Sequence, residues 1–228
     1  MNLVTASSTD TDTDTDTARR LALGAVIGPV GFALTWLVLG FLSPGYTIWG
    51  TTIAPYSAVS QPISGLGMGV TAPYMNTAFV LGGLLLAIGL YAVFATLAAD
   101  GRAVLRWSCA VLLSLSALGM VVTGLFNLEA MMPHLTGFLL AVGTPVLSFL
   151  VTGLYLRGIP RWRRFGGWLL LGSPLTLVLL VAFFMMFDPM ASGANVGVAG
   201  LVQRLLGLEV HGWFVALGWI AYRGRRVD

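Results

Sequence analysis

The sequence predicts an all-α fold: a polytopic membrane helix bundle of six transmembrane helices, with both termini cytoplasmic. Three observations carry that expectation. Hydrophobic residues make up 57% of the 228 and charged residues 9%, against about 25% charged in a soluble domain, and the mean hydropathy is +0.88. Six apolar runs each supply the roughly 20 residues that a helix needs to cross a hydrocarbon core about 30 Å thick. The twelve basic residues are all arginine, and eleven of them fall on alternate connections. The spans use most of the chain, so no separate water-soluble catalytic domain fits. Any chemistry belongs in or beside the bilayer, and the expected location is the cell membrane, multi-pass.

Residues 1–18 come first, with Thr and Asp alternating through Asp10, Asp12, Asp14 and Asp16. Such a stretch has too little apolar surface to offset the entropy of ordering it, so it reads as a disordered acidic tail. The six-helix domain is then expected over 19–226. Arg19 and Arg20 precede an apolar stretch longer than a signal core, and Phe41-Leu42-Ser43-Pro44 is no small-residue cleavage site, so the first span reads as a retained anchor. The spans are expected at Leu21 to Leu42, Asn76 to Ala98, Val104 to Phe126, His134 to Leu156, Phe165 to Phe187 and Leu201 to Tyr222. Arginines 19, 20, 102, 106, 157, 161, 163, 164, 223, 225 and 226 share one side, which the positive-inside rule makes cytoplasmic. Arg204 breaks the pattern.

Pro29, Pro145 and Pro174 fall within spans, where each removes a backbone donor. The pairs Gly24 with Gly28 and Gly193 with Gly197 have the spacing that lets helices approach closely. The first outer connection, Ser43 to Met75, is about 33 residues long, long enough to expect a functional or flexible loop. Its tyrosines, apolar residues and glycines suggest a segment packed on the outer leaflet or tucked between helices.

The scarce polar groups gather in the outer half, both histidines included. Ionisable residues at membrane depth cost about 2.5 to 3.5 kcal/mol on insertion scales and mark partners or function. Candidate ligand contacts are Ser64, Asn76, Glu129, His134, Arg204, Glu209 and His211. On a helix Arg204 and His211 share a face, whereas Glu209 points roughly 200 degrees away from His211, so Glu209 needs a partner elsewhere, a proton or a polar cavity. Arg204 could pair with Asp188 or Glu129, or hold a lipid phosphate. His134 and His211 with a carboxylate could in principle ligate a metal, but no fixed-spacing motif supports that, and neither metal nor cofactor is expected. Ser60 or Ser64 could serve as a nucleophile if a base lay nearby. The lone Cys109 rules out an intrachain disulfide, and arginines confined to connections give no nucleic-acid surface.

Three segments carry a family resemblance: Gln61-Pro62-Ile63-Ser64-Gly65-Leu66-Gly67, Gly124-Leu125-Phe126-Asn127-Leu128-Glu129 followed by His134, and Gly200-Leu201-Val202-Gln203-Arg204. With them the chain resembles domain-of-unknown-function family 998, prokaryotic six-helix membrane proteins, across nearly all six spans. Gln61 and Asn127-Leu128-Glu129 depart from that family's frequent His-Pro-x-Ser-x-Leu-Gly and Pro-x-Asp patterns. Ile63 to Gly67 and His134 are also similar to a loop and a helix start in eukaryotic autophagy-modulator and GPI-lipid-remodelling membrane proteins, which implies a lipid-facing role. Ceramidase-like intramembrane hydrolases use three histidines, and this chain has two.

The function expected first is recognition of a lipid or small amphipathic ligand in an outward-facing polar pocket. An intramembrane lipid hydrolase or acyl transferase, with His134 or His211 as base, is the first alternative, and a proton-coupled transporter using Glu209 and His211 is the second. Membrane lipids are the expected partners; a homo-oligomer is an arrangement open to such a bundle.

Overall fold

The computed structural model describes residues 16–97 and 102–224, and six helices in them are long and apolar enough to cross a membrane. They are α1 Gly24–Leu42, α2 Ala72–Ala95, α3 Ala103–Leu125, α4 Met131–Arg157, α5 Arg163–Met186 and α6 Ala199–Tyr222. A short helical piece at 16–21 leads into α1. The rest of the acidic tail, residues 1–15, and Arg225 and Arg226 lie outside the described residues. Each helix packs on its neighbours in chain order, and α6 returns to α1, so the six close a ring.

Glycines set how closely the ring closes. A Cβ on Gly28 would sit 2.5 Å from the Gly82 carbonyl oxygen, and one on Gly24 would collide with that of Leu85, so α1 and α2 meet backbone to backbone in their arginine-end halves. Gly119 against Gly137 joins α3 to α4, and Gly153 against Gly166 joins α4 to α5. The Gly193–Gly197 pair, by contrast, lies on no spanning helix. Gly193 ends a short turn, Pro189–Gly193, and Gly197 has a φ of +87° with open space around it, so this expectation is corrected.

Pro145 shapes α4. Lacking an N–H, it cannot close the bond to Ala141, and the preceding turn widens to a π-helical stretch over Leu139–Gly143. Two carbonyls lose helical donors and gain hydroxyls: Thr144 Oγ1 donates to Leu140 at 2.7 Å, and Ser116 Oγ of α3 donates to Ala141.

The long connection after α1 is ordered by its own contacts. It opens with an antiparallel hairpin, β1 Tyr46–Ile48 and β2 Thr51–Ile53. The two-residue turn between them has positive φ at Trp49 and Gly50, 47° and 79°, the type I′ geometry that matches strand twist. The chain then dips into the ring: Ser60 to Met68 are all buried, and Ile63–Gly67 forms a 3-10 turn. A Cβ on Gly65 would reach the Tyr46 ring at 2.7 Å. The second span begins at Ala72, so Asn76 lies one turn inside α2 and does not open it.

Candidate functional site

Arg204, on the first turns of α6, organises the buried loop. Its side chain donates to the carbonyls of Ala58 (2.7 Å), Gln61 (3.0 Å) and Gly200 (2.9 Å) and to the Tyr56 hydroxyl. Tyr56 in turn donates to the Pro62 carbonyl at 3.0 Å. The guanidinium lies over the rings of Trp36 and Tyr56, at 5.5 and 5.8 Å, so neutral oxygens and π faces stabilise its charge. Arg204 is 6% exposed. The expected pairing with Asp188 or Glu129 is not found, since Asp188 caps the turn after it by accepting from the Met190 and Ala191 amides and Glu129 is exposed. These four contacts turn the guanidinium toward the loop and its own helix.

Neighbouring residues complete the clamp. Gln203 Oε1 accepts from the Ile63 amide at 2.6 Å, Ser192 Oγ donates to the Ser60 carbonyl at 2.6 Å, and Asn195 Oδ1 accepts from Gln61 Nε2 at 2.6 Å. Burial pushes the Tyr46 hydroxyl up to about 12, with Tyr56 close by adding to it. Burial also raises Tyr56, against the pull of the adjoining Arg204 charge and hydrogen bond.

The clamp sets Ser64 against the start of α4. His134 Nε2 lies 2.8 Å from Ser64 Oγ, and its Nδ1 lies 2.7 Å from the Phe126 carbonyl oxygen. A carbonyl only accepts, so Nδ1 carries the hydrogen, and in the neutral ring Nε2 accepts from the Ser64 hydroxyl. Both residues are buried. Ser64 also lines a cavity of about 40 Å³ at the centre of the ring, together with Phe32, Phe79, Met120, Gln203 and His211. His211 Nδ1 donates to the Gly207 carbonyl at 2.7 Å, and its Nε2 faces Met120 Sδ at 3.4 Å. A thioether offers no hydrogen, so that Nε2 lone pair is unmatched at the cavity. The Gln203 oxygen is taken by Ile63, leaving the NH2 as the amide's free donor beside the same space.

The other expected residues stand apart. Asn76 Nδ2 donates to the Gly67 carbonyl at 3.3 Å, a loop tie. Glu209 faces α5, accepting from Thr176 Oγ1 at 2.8 Å and from Trp213 Nε1 at 2.6 Å. Among the described residues no three His, Cys, Asp or Glu side chains gather closely enough for a metal ion. Tyr56 and Gln203 were not among the candidate ligand contacts, although Gln203 belongs to the outer polar set. Gln203 sits beside Arg204 in a segment already singled out, and Tyr56 lies in the long loop; their roles depend on contacts with residues far along the chain.

Fold and site together define a multi-pass integral membrane protein whose loop-rich end folds back into the bundle and buries a hydroxyl–imidazole pair there. The family described as protein of unknown function (DUF998) matches residues 26–220, and the chain belongs to it. No curated protein and no solved structure matches the chain.

Proposed function

We propose that the protein recognises an ester-bearing membrane lipid at its loop-rich end and performs acyl transfer on it, with Ser64 as nucleophile and His134 as general base. The observation that carries this reading is the 2.8 Å contact between Ser64 Oγ and His134 Nε2, with the ring held in one tautomer by Phe126. A hydroxyl becomes a competent nucleophile when an oriented base can take its proton. Ser64 Oγ would attack the ester carbonyl while its proton passes to His134 Nε2. The carbon–oxygen bond to the leaving alcohol then breaks, and that alcohol takes the proton from His134. A water or a second hydroxyl would release the acyl group by the reverse sequence. Gln203 lines the same cavity as Ser64, and its NH2, left over when Oε1 binds the Ile63 amide, suits the developing oxyanion.

The arrangement uses the Phe126 carbonyl where many triads use a carboxylate, so neither Glu129 nor Glu209 has a part in it. The arginine end faces the cytoplasm in this reading, which puts the site in the outer half of the membrane. Binding without turnover is a second reading, supported by the unmatched His211 Nε2. Proton transport through a Glu209–His211 pair has less support, because Glu209 bonds to α5 and His211 to its own helix and Met120.

The test is release of free fatty acid, or transfer to an acceptor alcohol, from mixed phospholipids supplied to the purified protein in nanodiscs. Turnover lost in Ser64→Ala and in His134→Gln, with the protein still folded and monodisperse, is the expected result. Turnover unaffected by Ser64→Ala would overturn the nucleophile assignment. Lipid retained by the wild type and shed by His211→Ala, with no turnover in either, would favour binding alone.

A further inference from the structure

The Ser64 cavity, at about 40 Å³, has room for water or a reacting carbonyl but not for an acyl chain, since pockets for organic ligands run to roughly 300–1,000 Å³. A second space has the required size. The outer-end halves of α1 and α2 flank an open groove of about 680 Å³, lined among others by Leu34, Thr35, Leu39, Tyr74, Thr77 and Ala78. Its origin is visible in the packing. The two helices touch backbone to backbone at Gly24 and Gly28, and the bulkier residues nearer the loop end leave a gap between them. The groove lies within two spans, and Leu34 and Tyr74 on its rim are 56% and 68% exposed, so it opens sideways onto hydrocarbon.

Phe32 and Phe79 stand where the close contact ends and the gap begins. Their ring centroids are 4.6 Å apart, both are buried, and both line the Ser64 cavity. Leu39, which lines the groove, lies on the same face of α1 as Phe32, about two turns nearer the loop end. No residue lines both spaces, but groove-lining Thr35 lies one turn on from Phe32 and Ala78 directly precedes Phe79, so the aromatic pair sits on the cavity side of the same helical turns. The geometry points to the α1–α2 groove as the acyl-chain subsite of the Ser64 site, reached sideways from the bilayer, with Phe32 and Phe79 as the partition that must turn aside. This rests on the acyl-transfer reading and adds to it a substrate class: a lipid presented from within the membrane with its chain in hydrocarbon, in place of a short water-soluble ester.

Two measurements separate the groove from the chemistry. In the first, fluorophosphonates bearing ethyl and hexadecyl chains react with the protein in nanodiscs, and modification of Ser64 is followed by mass spectrometry. The expected result is at least a tenfold preference for the long chain over the short one, a ratio that falls to near one in Ala78→Trp, which fills the groove. Equal rates in the wild type, or a preference that survives Ala78→Trp, would overturn the groove. In the second, a phosphatidylcholine with a diazirine in its acyl chain is photolysed in the same nanodiscs, a readout that does not require Ser64 to react. Adducts concentrated on Thr35 and Thr77 and lost in Ala78→Trp support the groove. Adducts no denser there than on lipid-exposed Leu171 and Val178 overturn it. Failure of every fluorophosphonate to label Ser64, alongside groove adducts in the second experiment, would count against the nucleophile and leave the chain subsite standing.

Discussion

Arg204 and Ser64 share one region and differ in what they spend their hydrogen bonds on. Each bond from a charged group is worth about 1.5–3 kcal/mol, and four Arg204 hydrogen bonds go to the loop and its own helix. Lysine, with three donors on a point charge, cannot span these acceptors. Arg204→Lys should therefore lower the melting temperature in detergent by about 5–10 °C; an unchanged melt would mean that the clamp contributes little. Tyr46 gives a prediction in pH. Its hydroxyl ionises near 10 when unfolded and near about 12 in place, so the stability it lends is complete below pH 10 and is lost as pH climbs toward 12. Trp49 fluorescence at the hairpin tip should change over that window in the wild type and change less in Tyr46→Phe, where Tyr56 alone remains to ionise. Ser64 and His134 were both candidates from the sequence alone, because an interrupted loop and a rare histidine stand out in an apolar chain. Their meeting was not readable: 70 residues separate them, and no periodicity reports a contact between a loop and the start of a distant helix.

The six helices were legible as elements because hydrocarbon admits few alternatives, and a run of about twenty apolar residues must satisfy its backbone internally. What escaped is local backbone chemistry. The proline in α4 and its missing donor were visible, yet the turn it widens is completed by a hydroxyl from a different helix. That dependence can be measured. Ser116→Ala leaves the Ala141 carbonyl without its hydroxyl and should cost about 1–3 kcal/mol. In a Pro145→Ala background, where residue 145 regains its N–H, the same change should cost measurably less, giving a non-zero coupling in a double-mutant cycle. Strictly additive losses would show that Ser116 does not serve the carbonyl that proline leaves open. The hairpin was missed for the opposite reason. Tyr46-Thr47-Ile48-Trp49-Gly50-Thr51-Thr52-Ile53 carries the β-branched residues and the glycine of a tight turn, but apolar loops between spans invite no search for strands.

As a whole, the molecule is a ring of helices with its polar groups divided between two ends. Arginines gather at one end, and at the other a buried loop carries the Ser64 hydroxyl inward. The threading is testable in a Cys109→Ala background: a cysteine at exposed Val59 should react with an impermeant maleimide on intact cells, and one at Arg161 only after the cells are opened. Reaction of both from outside would contradict the orientation. The most direct test of the site is the chemistry of Ser64 itself. Purified protein in nanodiscs, treated with hexadecyl fluorophosphonate and mapped by peptide mass, should carry one adduct on Ser64, formed at least about 100-fold more slowly in His134→Gln. An adduct on other serines only, or an undiminished rate without His134, would contradict the assignment.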